Sequence, residues 1–592
     1  MKIKPEIKKL IITIIGFKIL TFLIANISQS VVTCKDESTE VLLSGNAHEN
    51  NEKPLTGLDR FIRKLISPFL KWDGQYFIHI AEKGYTHEKI FAFYPVFPLE
   101  MRLVSKLFPF LAQRTALLLS GFLVSNISNA IACIFLYHLT KGIFNNQRFA
   151  RLVTFCYGIC PASVFTQALY TEPVFAMWSF GGMYLLFVKN MSWLAFVFFF
   201  ISGGVRSNGI VNALFIFCYA MQNAYLILTG QCTLCHQKAS SKNYSQKQSS
   251  NKQASHSSLI KRAFLAFLSL VPHGIQCILL LLPTLLYEEY AFCHCCLPPE
   301  ISIDNRKGIF YGNDSIYEQQ SLQAGSNAKL NGYHSSISPA LHLPPLYARI
   351  FRRVLLLSRT YPILKKFLPK DLFDSISLSP FYQSLTDVAS AESVTLRPWC
   401  VADENGKGGS IYGHVQSHYW NVGPFHYFTL LQLPNHLLCF PILGLSCAAI
   451  ASWILYHRKN KKGNKHEHMN DNESKQGQKS TSSTESSSFV YPEGSNLFPF
   501  VLHLGLMTAM YPIIHAQVMT RFLNNSPILF WFFARILWNM IYQIPKGKDN
   551  QSQNLNKFKK SNSNRKAFAF LFYSIGYALC GTLLFSTFNP WT

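Results

Sequence analysis

The stretch ALLLSGFLVSNISNAIACIFLYHL, residues 116–139, contains no lysine, arginine, aspartate or glutamate. Crossing the hydrocarbon core of a bilayer takes about 20 predominantly apolar residues of α-helix. This stretch therefore predicts a helix that crosses a membrane.

Comparable apolar stretches recur along the whole chain of 592 residues. We predict about eleven membrane-crossing helices and an all-α polytopic fold. The third, fourth and fifth stretches are short, as expected of broken or tilted helices that line a cavity. The predicted spans cover residues 10–27, 116–139, 152–168, 173–188, 193–205, 210–228, 263–287, 428–456, 497–518, 527–544 and 567–588.

The bulk composition agrees with a membrane protein, since 49% of the residues are hydrophobic and 14% are charged, against about 25% charged in soluble domains. The formal net charge is +25, but the basic residues lie mainly in short runs beside apolar segments. We therefore expect a membrane, and no nucleic acid, as partner. The 15 cysteines include a CxxC at Cys232 and Cys235. No second pair follows at zinc-ribbon spacing, so no structural metal is expected.

Lysine and arginine beside the predicted spans indicate their orientation, because short cytosolic flanks are basic. With the N-terminus in the cytosol, every flank that alternation assigns to that side is basic. The first apolar stretch is interpreted as a retained anchor, because no small-residue cleavage site follows it. The predicted regions are the anchor at 1–28, a first loop at 29–115, spans two to six at 116–230, a cytosolic disordered linker at 231–262, span seven at 263–288, a long second loop at 289–427, span eight at 428–456, a second disordered linker at 457–496 and spans nine to eleven at 497–592.

Polar residues gather at the non-cytosolic ends of the predicted spans. They come from separate parts of the chain, yet alternation places them all on one side of the membrane, as a single site would require. Ionisable residues near a membrane are costly and tend to mark function. The candidates are Trp72, Asp73, Glu172, Arg206, Asn208, His414, His418, Gln517 and Arg521.

Each candidate also has an ordinary structural explanation. Asp73 fits a loop aspartate that caps a helix. Glu172, before Pro173, fits the start of a helix, and Arg206 fits an arginine that extends to the membrane interface. His414 and His418 lie four residues apart, a spacing suited to a metal, but no third ligand follows nearby. Function therefore rests on the convergence of these residues.

The run KWDGQYFIHIAEKGY at 71–85, followed by FAFYPVFP at 91–98, resembles the first lumenal loop of the GPI mannosyltransferase 2 family. The resemblance continues in order over nearly the whole chain. Its later blocks are CPASVF to YTE at 160–172, GVRSNG at 204–209, WC at 399–400, YWNVG to QLPN at 419–435, RFL to W at 521–531 and PWT at 590–592. The departures are insertions at 231–258, 292–396 and 459–488, and Gly74-Gln75 where larger side chains are expected.

The resemblance implies an enzyme of the C-type glycosyltransferase superfamily in the endoplasmic reticulum membrane. Such an enzyme adds the second mannose, α-1,6-linked, from dolichyl phosphate mannose to a mannosylated glucosaminyl-phosphatidylinositol, with a small accessory membrane subunit as a further partner. Because the donor is β-linked and the product α-linked, one carboxylate must serve as base, and Asp73 is the candidate. Arg206 and Arg521, with His414 and His418 as weaker candidates, would hold the leaving phosphate. No cofactor or metal is expected.

Glu172 is expected to hold a sugar hydroxyl or to orient a basic partner, and Trp72, Asn208 and Gln517 are expected to contact the substrates.

Two other functions stay open. Another dolichol-dependent mannosyltransferase would share the fold and Asp73, whereas a lipid transporter would show polar residues near the midplane and symmetric halves. Asn313 begins a glycosylation sequon in the second loop. Residues 61–70 and 346–368 are amphipathic, as in helices that lie in the membrane interface or pack on a loop domain.

Overall fold

A computed structural model of the chain describes residues 5–32, 55–230, 256–295, 399, 410–470, 497–542 and 550–587. All regular secondary structure within these ranges is helical, which confirms the all-α prediction. Asn313, the amphipathic stretch at 346–368 and most of the two predicted linkers lie outside the described residues.

Within the described ranges, six helical segments are long and apolar enough to cross a membrane, judged by length and composition. They are Ile12–Val31, Gln113–Phe144, Ser207–Leu228, Leu259–Cys295, Leu430–Arg458 and Phe568–Ser586. Three shorter apolar helices accompany them, at Ser192–Val205, Phe498–Ala509 and Pro527–Trp538. The fold is that of a helical multi-pass membrane protein, and the larger predicted number of spans stays a prediction.

The amino-terminal half consists of a long first helix, three short helices of the first loop and a group of packed apolar helices. In chain order these are α1 (Pro5–Val31), α2 (Gly57–Ile66), α3 (Asp73–Lys83), α4 (Val96–Ser105), α5 (Gln113–Phe144), α6 (Gln147–Gly158), α7 (Glu172–Phe187), α8 (Ser192–Val205) and α9 (Ala213–Leu228).

The carboxyl-terminal half also contains both long and short helices. It contains α10 (His256–Leu279), α11 (Leu282–Cys295), α12 (Ile411–His418), α13 (Leu433–Asn470), α14 (Phe498–Ala509), α15 (Ala516–Leu523), α16 (Pro527–Tyr542) and α17 (Asn550–Ser586). Helix α13 continues to Asn470, into the segment whose composition predicts a linker.

Glycines allow close packing in the middle of the helical core. A Cβ atom added to Gly182 of α7 would lie 2.4 Å from the Phe199 ring of α8. Small residues at such positions let membrane helices approach each other closely. Helices α5 and α16 are joined by Trp531, which is buried and whose indole N–H donates to the Thr140 hydroxyl at 2.9 Å.

Two predicted spans are interrupted in the structure. Residues 152–168 are one of the short stretches for which a broken or tilted helix is expected, whereas for residues 497–518 the prediction of one continuous helix is wrong. The predicted span 152–168 ends as a helix at Gly158, before Pro161, and span 497–518 ends at Ala509, before Pro512. Proline lacks a backbone N–H and disfavours the helical conformation of the residue before it, which explains both interruptions. The fourth and fifth short spans, by contrast, are the continuous helices α7 and α8.

The first loop is fastened to the helical core through Asp59. Its carboxylate accepts hydrogen bonds from the Thr56 N–H at 3.0 Å and hydroxyl at 2.6 Å, which close a capping box at the start of α2. It also accepts from the Ala112 N–H, just before α5, at 2.9 Å. The bonds from Thr56, and then that from Ala112, lower the pKa of Asp59 to about 2. Asp59 therefore fixes α2 against the first turn of α5.

Glu288, in α11, holds the part of the second loop that packs on the first loop. This carboxylate is buried and accepts from the Ser410 hydroxyl at 2.8 Å and from the backbone N–H groups of Ile411 at 2.8 Å and Tyr412 at 3.1 Å. An anion at a helix N-terminus satisfies donors that have no partner within the helix. Glu288 thus holds the start of α12, which lies against the 3₁₀ turn Glu88–Ala92 of the first loop.

Candidate active site

Asp73 opens α3 directly after a residue with an uncommon backbone conformation. Trp72 has φ 51° and ψ −122°, a combination that non-glycine residues rarely adopt and that clusters at functional sites. The Asp73 N–H donates to the Tyr170 hydroxyl at 3.2 Å. A Cβ atom on Gly74 would lie 3.3 Å from the Leu169 carbonyl oxygen, so a small residue suits this position. The backbone thus holds Asp73 against residues 169–170.

Asp73 is one of four charged side chains that meet here, which we call the charged cluster: Asp73, Glu172, Arg206 and Arg521. Arg521 Nη1 lies 2.9 Å from Asp73 Oδ2 and 3.6 Å from Glu172 Oε1. Arg206 Nη1 lies 2.6 Å from the same Glu172 oxygen. The four residues come from the first loop, the start of α7, the turn after α8 and α15. Their convergence is what the sequence predicted.

The two carboxylates of the charged cluster differ in access to solvent. The side chain of Asp73 is 28% exposed, whereas that of Glu172 is 1% exposed, and both arginine side chains are 14% exposed. Burial raises the pKa of Glu172, but Arg206 and then Arg521 outweigh this effect and hold its pKa below the usual value. Glu172 is therefore an enclosed anion, and Asp73 is the carboxylate that a substrate can approach.

Two aromatic rings fix the Arg521 guanidinium. Its central carbon lies 4.9 Å from the ring centroid of Phe165 and 5.4 Å from that of Tyr170. A guanidinium near aromatic faces gains a cation–π attraction that depends on orientation. Arg521 thus reaches Asp73 from a defined direction.

Arg206 begins a tight turn that connects the charged cluster to the second loop. Its Nη1 donates to the Thr171 hydroxyl at 3.2 Å, and the next residue, Ser207, shares a 2.7 Å hydrogen bond with the Tyr412 hydroxyl of α12. The side chain of Asn208 is buried, and neither of its amide atoms has a hydrogen-bond partner. A buried amide without partners costs free energy, so Asn208 is suited to bind a polar group of a substrate.

Gly209 makes this turn possible. A Cβ atom there would lie 2.6 Å from the backbone nitrogen and Cα of Gly203 and from the Ser202 carbonyl oxygen. Backbone atoms cannot move aside as flexible side chains do. The turn after Arg206 therefore requires glycine at this position.

The other predicted site residues lie around the charged cluster or away from it. Trp72 is 37% exposed beside Asp73, and Gln517 is half-buried one helical turn before Arg521 in α15. His414 Nε2 lies 3.0 Å from Glu88 Oε1, and the ring of His414 stacks on that of His418 with 5.2 Å between the ring centroids. The two histidines thus belong to the contact between the loops and remain weaker candidates for phosphate binding.

Tyr170, Phe165 and Tyr412 contribute to the site but were not predicted. Tyr170 and Phe165 lie within the family-like block at 160–172, and that block was the available signal. Tyr412 had no signal, because its partner Ser207 is distant in sequence. Within the described ranges, no group of three or more His, Cys, Asp or Glu side chains is placed to hold a metal ion. Metal independence stays a prediction.

A helical membrane protein with paired carboxylates and arginines gathered at helix ends has the features of a membrane-embedded enzyme. The model of the family described as Mannosyltransferase (PIG-V) matches residues 7–238 and 231–592. The chain belongs to this family.

Named relatives match over most of their length. GPI alpha-1,6-mannosyltransferase 2 of Cricetulus griseus is 25% identical over 570 residues, covering 90% of each chain. The Homo sapiens protein of the same name is 25% identical over 569 residues, again with 90% of each chain covered. GPI mannosyltransferase 2 of Drosophila melanogaster is 23% identical over 551 residues, covering 92% of this chain and 91% of the relative. No solved structure matches the chain.

Proposed function

We propose that the chain transfers the second mannose, α-1,6-linked, from dolichyl phosphate mannose to the GPI-anchor precursor, with inversion at the anomeric carbon. Mannosyl transfer in GPI-anchor biosynthesis is the activity of the family and of relatives aligned over nine-tenths of their length. The observation that carries the mechanism is the charged cluster, in which the accessible carboxylate of Asp73 pairs with Arg521 and the enclosed carboxylate of Glu172 contacts both arginines.

Asp73 acts as the general base in this proposal. Arg521 binds its Oδ2, so Oδ1, on a partly exposed side chain, is the oxygen that takes the proton of the acceptor hydroxyl. The acceptor oxygen then attacks the anomeric carbon, and the bond to the dolichyl phosphate oxygen breaks. Inversion requires the base and the leaving group to lie on opposite faces of the sugar. Asp73 is assigned as the base because it is the more accessible of the two carboxylates.

Arg206 and Arg521 stabilise the leaving dolichyl phosphate. Preorganised positive groups in a site with little water stabilise developing negative charge strongly, and guanidinium groups bind phosphate in a bidentate manner. Glu172 supports this role by orienting both arginines, since its Oε1 lies within 3.6 Å of each. The enclosure of Glu172 favours this role over binding of a sugar hydroxyl.

Asn208, Trp72 and Gln517 complete the substrate contacts in this proposal. The unpartnered amide of Asn208 is suited to a mannosyl hydroxyl. The indole of Trp72 offers a flat apolar face, and Gln517 lies on the helix that carries Arg521. The acceptor is a mannosylated glucosaminyl-phosphatidylinositol, no metal or cofactor takes part, and a small membrane subunit accompanies the enzyme.

The topology that serves this reaction has about eleven spans, a cytosolic N-terminus and a site on the lumenal face of the endoplasmic reticulum membrane. The basic flanks of the predicted spans support this orientation. Glycosylation tags inserted near residue 86 and near residue 409 should be modified, whereas tags at 245 and 475 should not. Modification at 475 would overturn this topology.

The test of the proposed function is complementation in cells that lack the second GPI mannosyltransferase. The wild-type chain should restore surface GPI-anchored proteins, and microsomes should convert the one-mannose precursor to the two-mannose precursor when dolichyl phosphate mannose is added. Asp73→Asn should keep the shape of the side chain and lose about 10²–10⁴-fold in turnover, which is the usual contribution of a general base. Precursor with one mannose should accumulate.

The matched control is Glu88→Gln, which removes a carboxylate of the same loop that pairs with His414. It should retain most of the turnover. Failure of the wild-type chain to restore any GPI-anchored protein would contradict the proposed function. Normal turnover of Asp73→Asn at equal protein level would remove Asp73 from the role of base.

A further inference from the structure

Lys18 is a charged residue in the middle of the apolar helix α1. It is the single charged side chain in Ile12–Val31, a segment long and apolar enough to cross a membrane. Ionisable residues within such segments are costly and mark functional positions. The half-buried Lys18 side chain requires an explanation that the charged cluster does not supply.

The Lys18 ammonium binds an irregular segment of the chain. Its Nζ donates to the Ser163 carbonyl oxygen at 3.1 Å, to the Ser163 hydroxyl at 3.1 Å and to the Thr166 hydroxyl. These bonds use all three hydrogens of the ammonium group. Both partners lie in residues 159–171, the stretch without regular helix between α6 and α7, which we call the connecting segment.

A second pair of hydrogen bonds holds the connecting segment to the same helix face. The Thr21 hydroxyl donates to Gln167 Oε1 at 2.7 Å, and Gln167 Nε2 donates to the Lys18 carbonyl oxygen at 3.1 Å. Irregular backbone at membrane depth is tolerated only where protein groups satisfy its hydrogen bonds. Helix α1 supplies these groups to the connecting segment.

The connecting segment carries the aromatic residues that fix Arg521. Phe165 lies between the two residues that Lys18 binds, and its ring centroid is 4.9 Å from the guanidinium. Tyr170, at the end of the segment, contacts the same guanidinium and accepts the Asp73 N–H. The two residues that the Lys18 ammonium binds, Ser163 and Thr166, are therefore within two positions in the sequence of Phe165, whose ring orients Arg521.

We propose that Lys18 is a positioning residue for the transfer reaction, because its ammonium holds the connecting segment in the conformation that aligns Arg521 with Asp73. This inference rests on the proposed function. Without the ammonium, the Ser163 and Thr166 hydroxyl oxygens lose the donor that Lys18 supplies, whereas the Ser163 carbonyl oxygen keeps the Thr166 hydroxyl as a donor at 2.8 Å. The segment then moves to find other donors for the two hydroxyl oxygens. A displacement of about 1 Å at a catalytic group can reduce turnover about 10²-fold.

The test compares Lys18→Met, which keeps the length of the side chain and removes the donors, with Lys18→Arg, which keeps the charge and the donors. In microsomes adjusted to equal protein level, Lys18→Met should reduce kcat about 10- to 100-fold while KM for dolichyl phosphate mannose changes less than about 3-fold. Lys18→Arg should recover at least a third of the wild-type kcat. Ser28→Ala is the matched control, because the Ser28 hydroxyl bonds only within α1, to the Ile24 carbonyl oxygen at 2.7 Å.

Thr166→Val tests the same contact from the other side and should lower kcat about 3- to 10-fold, without further effect in combination with Lys18→Met. If the Lys18→Met protein does not accumulate, Thr166→Val alone tests the proposal. Wild-type kcat for Lys18→Met, or for Thr166→Val, would overturn it, as would equal losses in kcat for Lys18→Arg and Lys18→Met. An inactive wild-type chain would instead contradict the proposed function.

Discussion

Replacing Glu172 with glutamine keeps the size of a side chain that is 1% exposed and removes the negative charge that Arg206 and Arg521 share. The shortest contact is 2.6 Å, to Arg206, whereas Arg521 keeps Asp73 at 2.9 Å. Arg206 is therefore the group that loses its anion. It keeps its hydrogen bond to the Thr171 hydroxyl, at 3.2 Å.

Removing one partner of a buried ion pair costs about 3–5 kcal/mol, because the other charge stays buried without compensation. Arg521 keeps an anion and both guanidinium side chains retain 14% exposure, so we expect a loss of about 3 kcal/mol, the lower end of this range. A loss of this size changes the ratio of folded to unfolded protein by more than about 100-fold. Glu172→Gln should therefore reduce both protein level and activity.

The assay measures the melting temperature of the detergent-solubilised protein, as a fluorescent fusion monitored by size-exclusion chromatography. Turnover per folded molecule is measured on the same samples. Asp73→Asn is the control, since its side chain is 28% exposed and Arg521 keeps Glu172. It should lose turnover without losing stability. If Glu172→Gln melts at the wild-type temperature, the charged cluster does not stabilise the fold as the distances indicate.

The remaining predictions concern Arg206, Gly209 and, away from the site, Asp59. Arg206→Lys should keep charge but lose bidentate geometry, so that activity falls about 10-fold or more in microsomes, and full activity of Arg206→Ala would show that Arg206 only extends to the interface. Gly209→Ala should reduce the yield of folded protein in fluorescence-detected chromatography, because its Cβ would lie 2.6 Å from backbone atoms of Gly203. A wild-type yield would refute the close approach of residue 209 to the Gly203 backbone. Asp59 has a pKa lowered to about 2, so the stability that it contributes is present above about pH 4 and is lost as pH falls toward 2. Asp59→Asn should therefore flatten the acid side of the stability profile measured by melting temperature, and an unchanged profile would contradict this contribution.

The membrane-embedded helices were predictable because their apolar stretches are long and uninterrupted. Residues 116–139, for example, form the middle of α5. The two interrupted spans were harder, since apolar composition alone does not register where the backbone leaves the helix. Pro161 and Pro512 carried the missing signal. The irregular backbone after Pro161 carries Phe165 and Tyr170, the aromatic partners of Arg521.

The charged cluster was predictable for a different reason. A carboxylate or guanidinium at a membrane boundary is costly, so Asp73, Glu172 and Arg521 stood out against apolar neighbours. Their pairing was not predictable, because the sequence separation between Asp73 and Arg521 is 448 residues. The histidine pair was predicted from its place on the non-cytosolic side, and that place does not distinguish a substrate contact from the contact of His414 with Glu88.

The division of labour between the two carboxylates follows from where the chain places them. Asp73 begins a helix of the first loop, directly after Trp72 with its uncommon backbone conformation, and its side chain is 28% exposed. Glu172 begins α7, a helix of the core, and is enclosed by residues that approach from α8 and α15. A base must meet its substrate, whereas an anion that orients two arginines must not be displaced by water. In the proposed mechanism, the same residue chemistry serves proton transfer at Asp73 and electrostatic organisation at Glu172, and the difference in exposure supports this assignment.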